Sequence, residues 1–186
     1  MSHFLPHSSV ALRLLAALAF VASATVHADD YGDVSQLLKT GKFTEAQAKA
    51  DLYLTVRPKD PQMRFLKSAV QSAAGQPAEA ITTLTALIQE FPELPEPYNN
   101  LAVLYASQNQ FDKARTALEM AVRINPTYAT AFENLGDVYA KLASQSYSKS
   151  LQLNATNTQA SQKIALLKSV LAPATPATPA APGKSK

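Results

Sequence analysis

The chain has no cysteine and no tryptophan, and its three histidines, His3, His7 and His27, all precede Ala28. Beyond Ala28 there is therefore neither imidazole nor thiolate. That removes the usual ligands of zinc and most transition-metal sites. It also removes the commonest general base and the strongest ordinary nucleophile. Without cysteine no disulfide forms, so packing alone must hold the fold. The five glycines, Gly32, Gly41, Gly75, Gly136 and Gly183, are isolated from one another, so no phosphate-cradling glycine loop exists. No G-x-S-x-G elbow is present either. The carboxylate pairs Asp29–Asp30 and Glu93–Glu96 have no apolar pocket to raise a pKa, and are expected to be solvated. These absences predict a protein that is not an enzyme and carries no cofactor and no metal.

Charge is scarce at the N-terminus and balanced elsewhere. Arg13 is the only formal charge up to Ala28, and the uncharged run from Leu14 to Val26 follows it. Small residues at Ser23, Ala24 and Val26-His27-Ala28 offer a processing site, best placed after Ala28. The run is too short for a membrane span, which needs roughly 20 residues. Residues 1–28 are thus expected to be a cleaved signal peptide, and the mature chain periplasmic or secreted, with no membrane span. Of the 17 basic and 14 acidic groups, losing Arg13 leaves 16 against 14; setting aside Lys184 and Lys186 leaves 14 against 14. A neutral body gives no electrostatic reason to bind nucleic acid or anionic lipid.

What is present is a ruler. Pro58, Pro92 and Pro126 are separated by equal steps of 34, as are Ala46, Ala80 and Ala114, and as are Gly41, Gly75 and Asn109. Three residue types repeating in phase mark stacked copies of one short unit. Such a unit cannot bury its apolar face alone, so its neighbours must stack into a solenoid. In the third copy Tyr98, Leu101, Ala102 and Tyr105 have the i, i+3, i+4, i+7 spacing of one helical face. Phe111, Ala114, Leu118 and Ala121 follow on a second helix that ends before Pro126. Ala102 and Ala114 are small where two antiparallel helices must approach, and Asp112 suits the first turn of the second helix.

This pattern resembles the tetratricopeptide repeat (TPR), over roughly Asp30 to Asn154. The second copy keeps Gly75, Ala80, Leu84, Leu87 and Pro92, but opens with Phe65, Leu66, Ala69 and Val70. The first keeps Gly41, Phe43, Ala46 and Pro58 behind a short helix at about Val34 to Thr40. The fourth opens with Phe132, Leu135, Gly136 and Tyr139 and then breaks: its ending, Leu151-x-Leu153-Asn154, comes about five residues early against Val122-x-Ile124-Asn125. A deleted inter-helix turn predicts one continuous helix from about Thr130 to Leu153, then a capping helix near Thr158 to Leu171. The expected architecture is all-α: a TPR-like α-solenoid of about three and a half helix-turn-helix repeats with a C-terminal capping helix, spanning 29–171. Residues 172–186, with frequent proline and little apolar bulk, are expected to be a disordered, extended tail.

The resemblance implies a concave groove lined by the first helix of each unit. On this chain the groove residues would be Asn99, Asn100, Val103, Ser107, Glu133, Asn134, Asp137 and Lys141. Asn100 and Asn134 stand at equivalent positions, and a side-chain amide can hydrogen-bond an extended peptide. Equally, both could be repeat residues that tie adjacent helices together. Glu133 and Asp137 favour a basic or neutral peptide over an acidic C-terminus. Tyr98, Tyr105, Phe111, Phe132 and Tyr139 are expected in the interior, since aromatic residues at helical period are usually core. The function that follows is a protein-interaction scaffold of a bacterial envelope, with a protein or peptide partner. An accessory subunit of a cell-wall enzyme system, with catalysis on a separate partner, is the alternative.

Overall fold

The ruler prolines each stand one residue beyond the cap of a helix. The computed structural model describes residues 30–171; the expected signal peptide at 1–28 and tail at 172–186 lie outside the described residues. Helix α1 covers 30–39, followed by α2 (Phe43–Val56), α3 (Pro61–Ala73), α4 (Pro77–Glu90), α5 (Pro95–Ser107), α6 (Phe111–Ile124), α7 (Ala129–Leu153) and α8 (Thr158–Val170). The described residues contain no strand. Arg57, Phe91 and Asn125 cap α2, α4 and α6 with ψ of 68°, 66° and 94°. Those values lie outside the helical region because the ring of the following Pro58, Pro92 or Pro126 disfavours it.

Within each of the first three pairs the chain reverses through a left-handed residue. Gly41 and Gly75 both have φ of 75°, and Asn109 has 59°. Glycine reaches this region without a Cβ penalty, and asparagine tolerates it better than most residues. Nothing lies within 4 Å of a Cβ built on Gly75, so an added methyl group meets no neighbour and only backbone strain remains. Gly75→Ala should therefore destabilise the fold by about 1–2 kcal/mol, read as a shifted midpoint with unchanged slope in urea. A fall below about 0.5 kcal/mol would show that the turn relaxes instead.

The helices pack chiefly on their sequence neighbours, which is the connectivity of a solenoid. Two apolar clusters form the interior. Val34, Ala46, Ala50, Tyr53, Met63 and Val70 gather α1–α3. Leu84, Leu101, Ala102, Ala114, Leu118, Ala121, Leu135 and Val138 belong to the cluster that joins α4–α7. The small alanines of the ruler, Ala46, Ala80 and Ala114, are all fully buried.

The fourth unit does lack its turn. Helix α7 runs unbroken for 25 residues. Its end repeats that of α6 in detail: the Asn125 carboxamide oxygen accepts from the Thr127 N–H at 3.0 Å and hydroxyl at 2.7 Å. Asn154 accepts from the same two groups of Thr156 at 3.2 and 2.8 Å. The helix-ending device is intact, and what has gone is the reversal upstream of it. Helix α8 then folds back along α7. Asn157 caps it by accepting from the Ala160 N–H at 3.1 Å and donates to Ser150 Oγ at 3.0 Å.

One expectation about the interior fails. Tyr98, Tyr105 and Phe111 pack against the core, but Phe132 and Tyr139 are 48% and 47% exposed. Tyr98 and Tyr105 line a cleft between Ile88 of α4 and Ala117 and Met120 of α6. Because α7 does not turn back, Phe132 and Tyr139 lack the helix that would form the second wall. The first helix is also longer than expected, starting by residue 30 rather than at Val34. Asp30 is accordingly not a solvated terminal carboxylate but lies 3.9 Å from the Lys49 ammonium.

Candidate peptide groove

Helices α3, α5 and α7 are the first members of the second, third and fourth units, and they share one side of the solenoid. Two recesses open between them. One, of about 290 Å³, is lined by Ala102, Val103, Asn134, Asp137, Val138 and Lys141, with Phe111 and Leu118 among its other walls. The other, of about 260 Å³, is lined by Ser68, Ala69, Ser72 and Ala73 of α3 and by Asn100, Val103 and Leu104 of α5. Val103 belongs to both and is 51% exposed. It forms an apolar ridge at the middle of a trough three helices wide.

The structure brings five of the expected groove residues to this trough: Asn100, Val103, Asn134, Asp137 and Lys141. Three stand apart. Asn99 is only 5% exposed, and its carboxamide oxygen accepts from Asn134 Nδ2 at 2.8 Å. Its own Nδ2 donates to Asn100 Oδ1 at 3.4 Å. Asn134 thus ties α7 to α5, while Asn99 serves the seam rather than the opening. The Ser107 hydroxyl donates to the Leu104 carbonyl of its own helix at 2.7 Å, and neither Ser107 nor Glu133 lines a recess. Glu133 is nonetheless exposed.

The wall supplied by α3 is absent from the sequence-derived set. This helix lacks the aromatic and tyrosine signature of the third and fourth units, so its sequence does not mark groove positions. The ruler itself would have found them: subtracting 34 from Val103 reaches Ala69, and from Ser107 reaches Ala73. Both are small, which makes this end of the trough wide. The floor is apolar and the rim carries amides, hydroxyls, one carboxylate and one ammonium. Such a lining can seat side chains while amides hold an extended backbone or a helix. Among the described residues no helix is long and apolar enough to cross a membrane.

Comparison with known proteins agrees with this geometry. Two family models, both described as tetratricopeptide repeat, match residues 71–142 and 34–95. The chloroplastic tetratricopeptide repeat domain-containing protein PYG7 of Arabidopsis thaliana is 45% identical over 49 residues, 26% of this chain and 16% of that protein. The chain spans less than half the length of the curated relatives it matches. Among solved structures, a thermophilic TPR protein of Thermus thermophilus, TTC0263, superposes with a TM-score of 0.57 at 22% identity. That match covers 77% of this chain and 82% of the other. The first TPR of Spaghetti (RPAP3), bound to the HSP90 peptide SRMEEVD, superposes with a TM-score of 0.57 at 15% identity, covering 61% and 90%. With the matched spans laid on helices that pair at the period of the ruler, residues 34–142 of this chain are tetratricopeptide repeats.

Proposed function

We propose that this protein is a non-catalytic interaction scaffold of a bacterial envelope, exported by the segment that ends at Ala28, which seats a peptide segment or a partner helix in the trough of α3, α5 and α7. Val103 is the observation that carries the reading. A large apolar side chain at the shared wall of two recesses stays half exposed, although the same helix buries Leu101 and Leu104. A partner that covers Val103 gains the burial that the solenoid does not supply, worth about 1 kcal/mol for a half-exposed side chain of this kind. Asn100, Asn134, Asp137 and Lys141 then fix backbone and charge around it. A solved TPR neighbour holding a peptide supports this mode of use by analogy. Asp137 in the wall favours a neutral or basic ligand here.

The test is site-specific photocrosslinking in the native host. Photoreactive residues at positions 103 and 137 should capture one shared partner, whereas position 159 on the exposed side of α8 should not. With the photoreactive residue at position 137 alone, Val103→Asp should reduce the captured partner at least tenfold with an unchanged helical circular dichroism spectrum. Equal capture by the variant would remove the trough from consideration. Recovery of an unprocessed chain from the cytoplasm would reject the envelope half of the reading.

A further inference from the structure

Helix α7 joins both helices of the fourth unit into one rod, and neither half has its usual partner. A step of 34 relates its first half to α5: Phe132, Gly136 and Tyr139 take the places of Tyr98, Ala102 and Tyr105. Beyond the lost turn the step is 29, which sets Ala143, Ser146 and Tyr147 on Ala114, Ala117 and Leu118. The same step carries Asn125 to Asn154 and Ala131 to Ala160, and both alanines are buried. Helix α8 therefore stands to the second half of α7 as α7 stands to α6. What is missing is the pairing between the two halves. Where α5 meets α6, Ala102, Ala114, Ala117 and Leu118 are all buried. Their counterparts are not: Gly136 and Ser146 are exposed, and Ala143 and Tyr147 are half-buried. Phe132 and Tyr139 also stay half exposed.

We propose that a second copy of the chain supplies this pairing: two α7 helices lie antiparallel, and the second half of each packs on the first half of the other. A hairpin that has lost its turn cannot close on itself, and exchanging an identical element between copies is a low-cost remedy. One register satisfies both halves. Ala102 and Ala114 lie equally far from Gln108 in the intact turn, as do Tyr98 and Leu118. Carried onto α7, these pairs become Gly136 with Ala143 of the second copy, and Phe132 with its Tyr147. Both pairs are centred between Tyr139 and Ala140, so a two-fold axis there makes each of them twice. Phe132, Gly136, Tyr139, Ala143, Ser146 and Tyr147 share one side of the helix, and none carries a charge that pairing would desolvate. The half-exposed rings of Phe132 and Tyr139 in two copies offer roughly 400 Å², about a third of what the smallest specific interfaces bury. Two stretches of paired helix, each about 15 Å long, supply the remainder. Asn134, Asp137 and Lys141 lie roughly opposite this side of α7, so pairing leaves the trough open.

Light scattering on the chain purified from its host should give twice the mass of one chain, and the mass of a single chain would overturn the proposal. Copying Ser107–Phe111 between Ala140 and Lys141 restores the turn, and should halve that mass while the helical circular dichroism is kept. A dimer that survives the insertion is held elsewhere, which would equally reject the exchange. The absence of cysteine allows a second reading that needs no insertion. Positions 136 and 143 are about 10 Å apart along one helix, too far for a disulfide within a chain, whose Cα atoms must come within about 7 Å. Nothing stands within 4 Å of a Cβ built on Gly136, so a side chain fits there. Chains carrying Gly136→Cys, refolded from urea together with chains carrying Ala143→Cys, should give a covalent mixed dimer on mild oxidation. Either variant alone should give at least fivefold less. Equal yields, or no bridge in the mixture, would reject the register.

Discussion

Leu118→Ala should lower the stability of the folded chain by about 3 kcal/mol, within the usual range for a buried leucine cut to alanine. Leu118 is fully buried at the centre of the cluster that joins α4–α7, and the ruler positions before it, Leu84 and Ala50, are buried too. The change removes transfer energy and leaves a void beside Phe111 and Ala102, which share a recess wall with Leu118. The melting temperature should fall by roughly 10 °C for a domain of this size. Leu166→Ala, on an exposed side of α8, should cost under about 0.5 kcal/mol. Loss should also be uneven. A solenoid's repeats touch only their neighbours, and α1–α3 hold a cluster of their own. Amide exchange in α5–α7 should therefore quicken first, while α2 and α3 keep their protection. Uniform acceleration across all the helices would show one cooperative block and contradict the two-cluster interior.

Much of this arrangement could be read before any coordinates, because a single repeating ruler fixes turns, pairing and buried alanines at once. The early Asn154 located the missing turn, and α7 and α8 followed to within a residue or two. What escaped depends on neighbours rather than period. Phe132 and Tyr139 have core spacing, yet spacing cannot say whether a covering helix exists. Asn99 and Asn100 are adjacent and chemically identical; only the position of Asn134 across the seam decides which is tied. The α3 wall was missed because alanine and serine carry no signature beyond their place on the ruler. Tyr31 was invisible for a further reason. It precedes the short first helix expected from Val34, and its partner Asp60 looks like an ordinary turn acid after Pro58.

Asp60→Ala should destabilise the N-terminal half by about 2–4 kcal/mol, the sum of a lost helix cap and lost charge-assisted hydrogen bonds. One Asp60 oxygen accepts from the Met63 N–H at 2.8 Å and so caps α3. The other accepts from the Tyr31 hydroxyl at 2.6 Å and the Tyr53 hydroxyl at 3.1 Å. The two rings themselves meet at 5.5 Å between centroids, with their hydroxyls 2.9 Å apart. A single carboxylate thus joins α1, α2 and α3. Burial alone would push its pKa up, but hydrogen bonds from Tyr31, the Met63 N–H, Tyr53 and the Gln62 N–H outweigh it and hold the carboxyl below its ordinary value. Burial pushes the Tyr31 phenol up, and its bonds to Asp60 and Tyr53 push it further. The signs follow. The Asp60 contribution is whole above the ordinary carboxylate value, about pH 4, and is lost as pH falls through the lower folded value. The Tyr31 contribution is whole below the ordinary phenol value, about pH 10, and is lost as pH climbs toward the raised folded one. Urea midpoints of the native chain should therefore decline on both flanks. Asp60→Asn keeps an acceptor for the cap but no titrating charge, so its acid flank should flatten while part of the loss at neutral pH is spared. An acid flank of unchanged steepness in Asp60→Asn would assign the decline to other carboxylates and demote this junction to a simple cap.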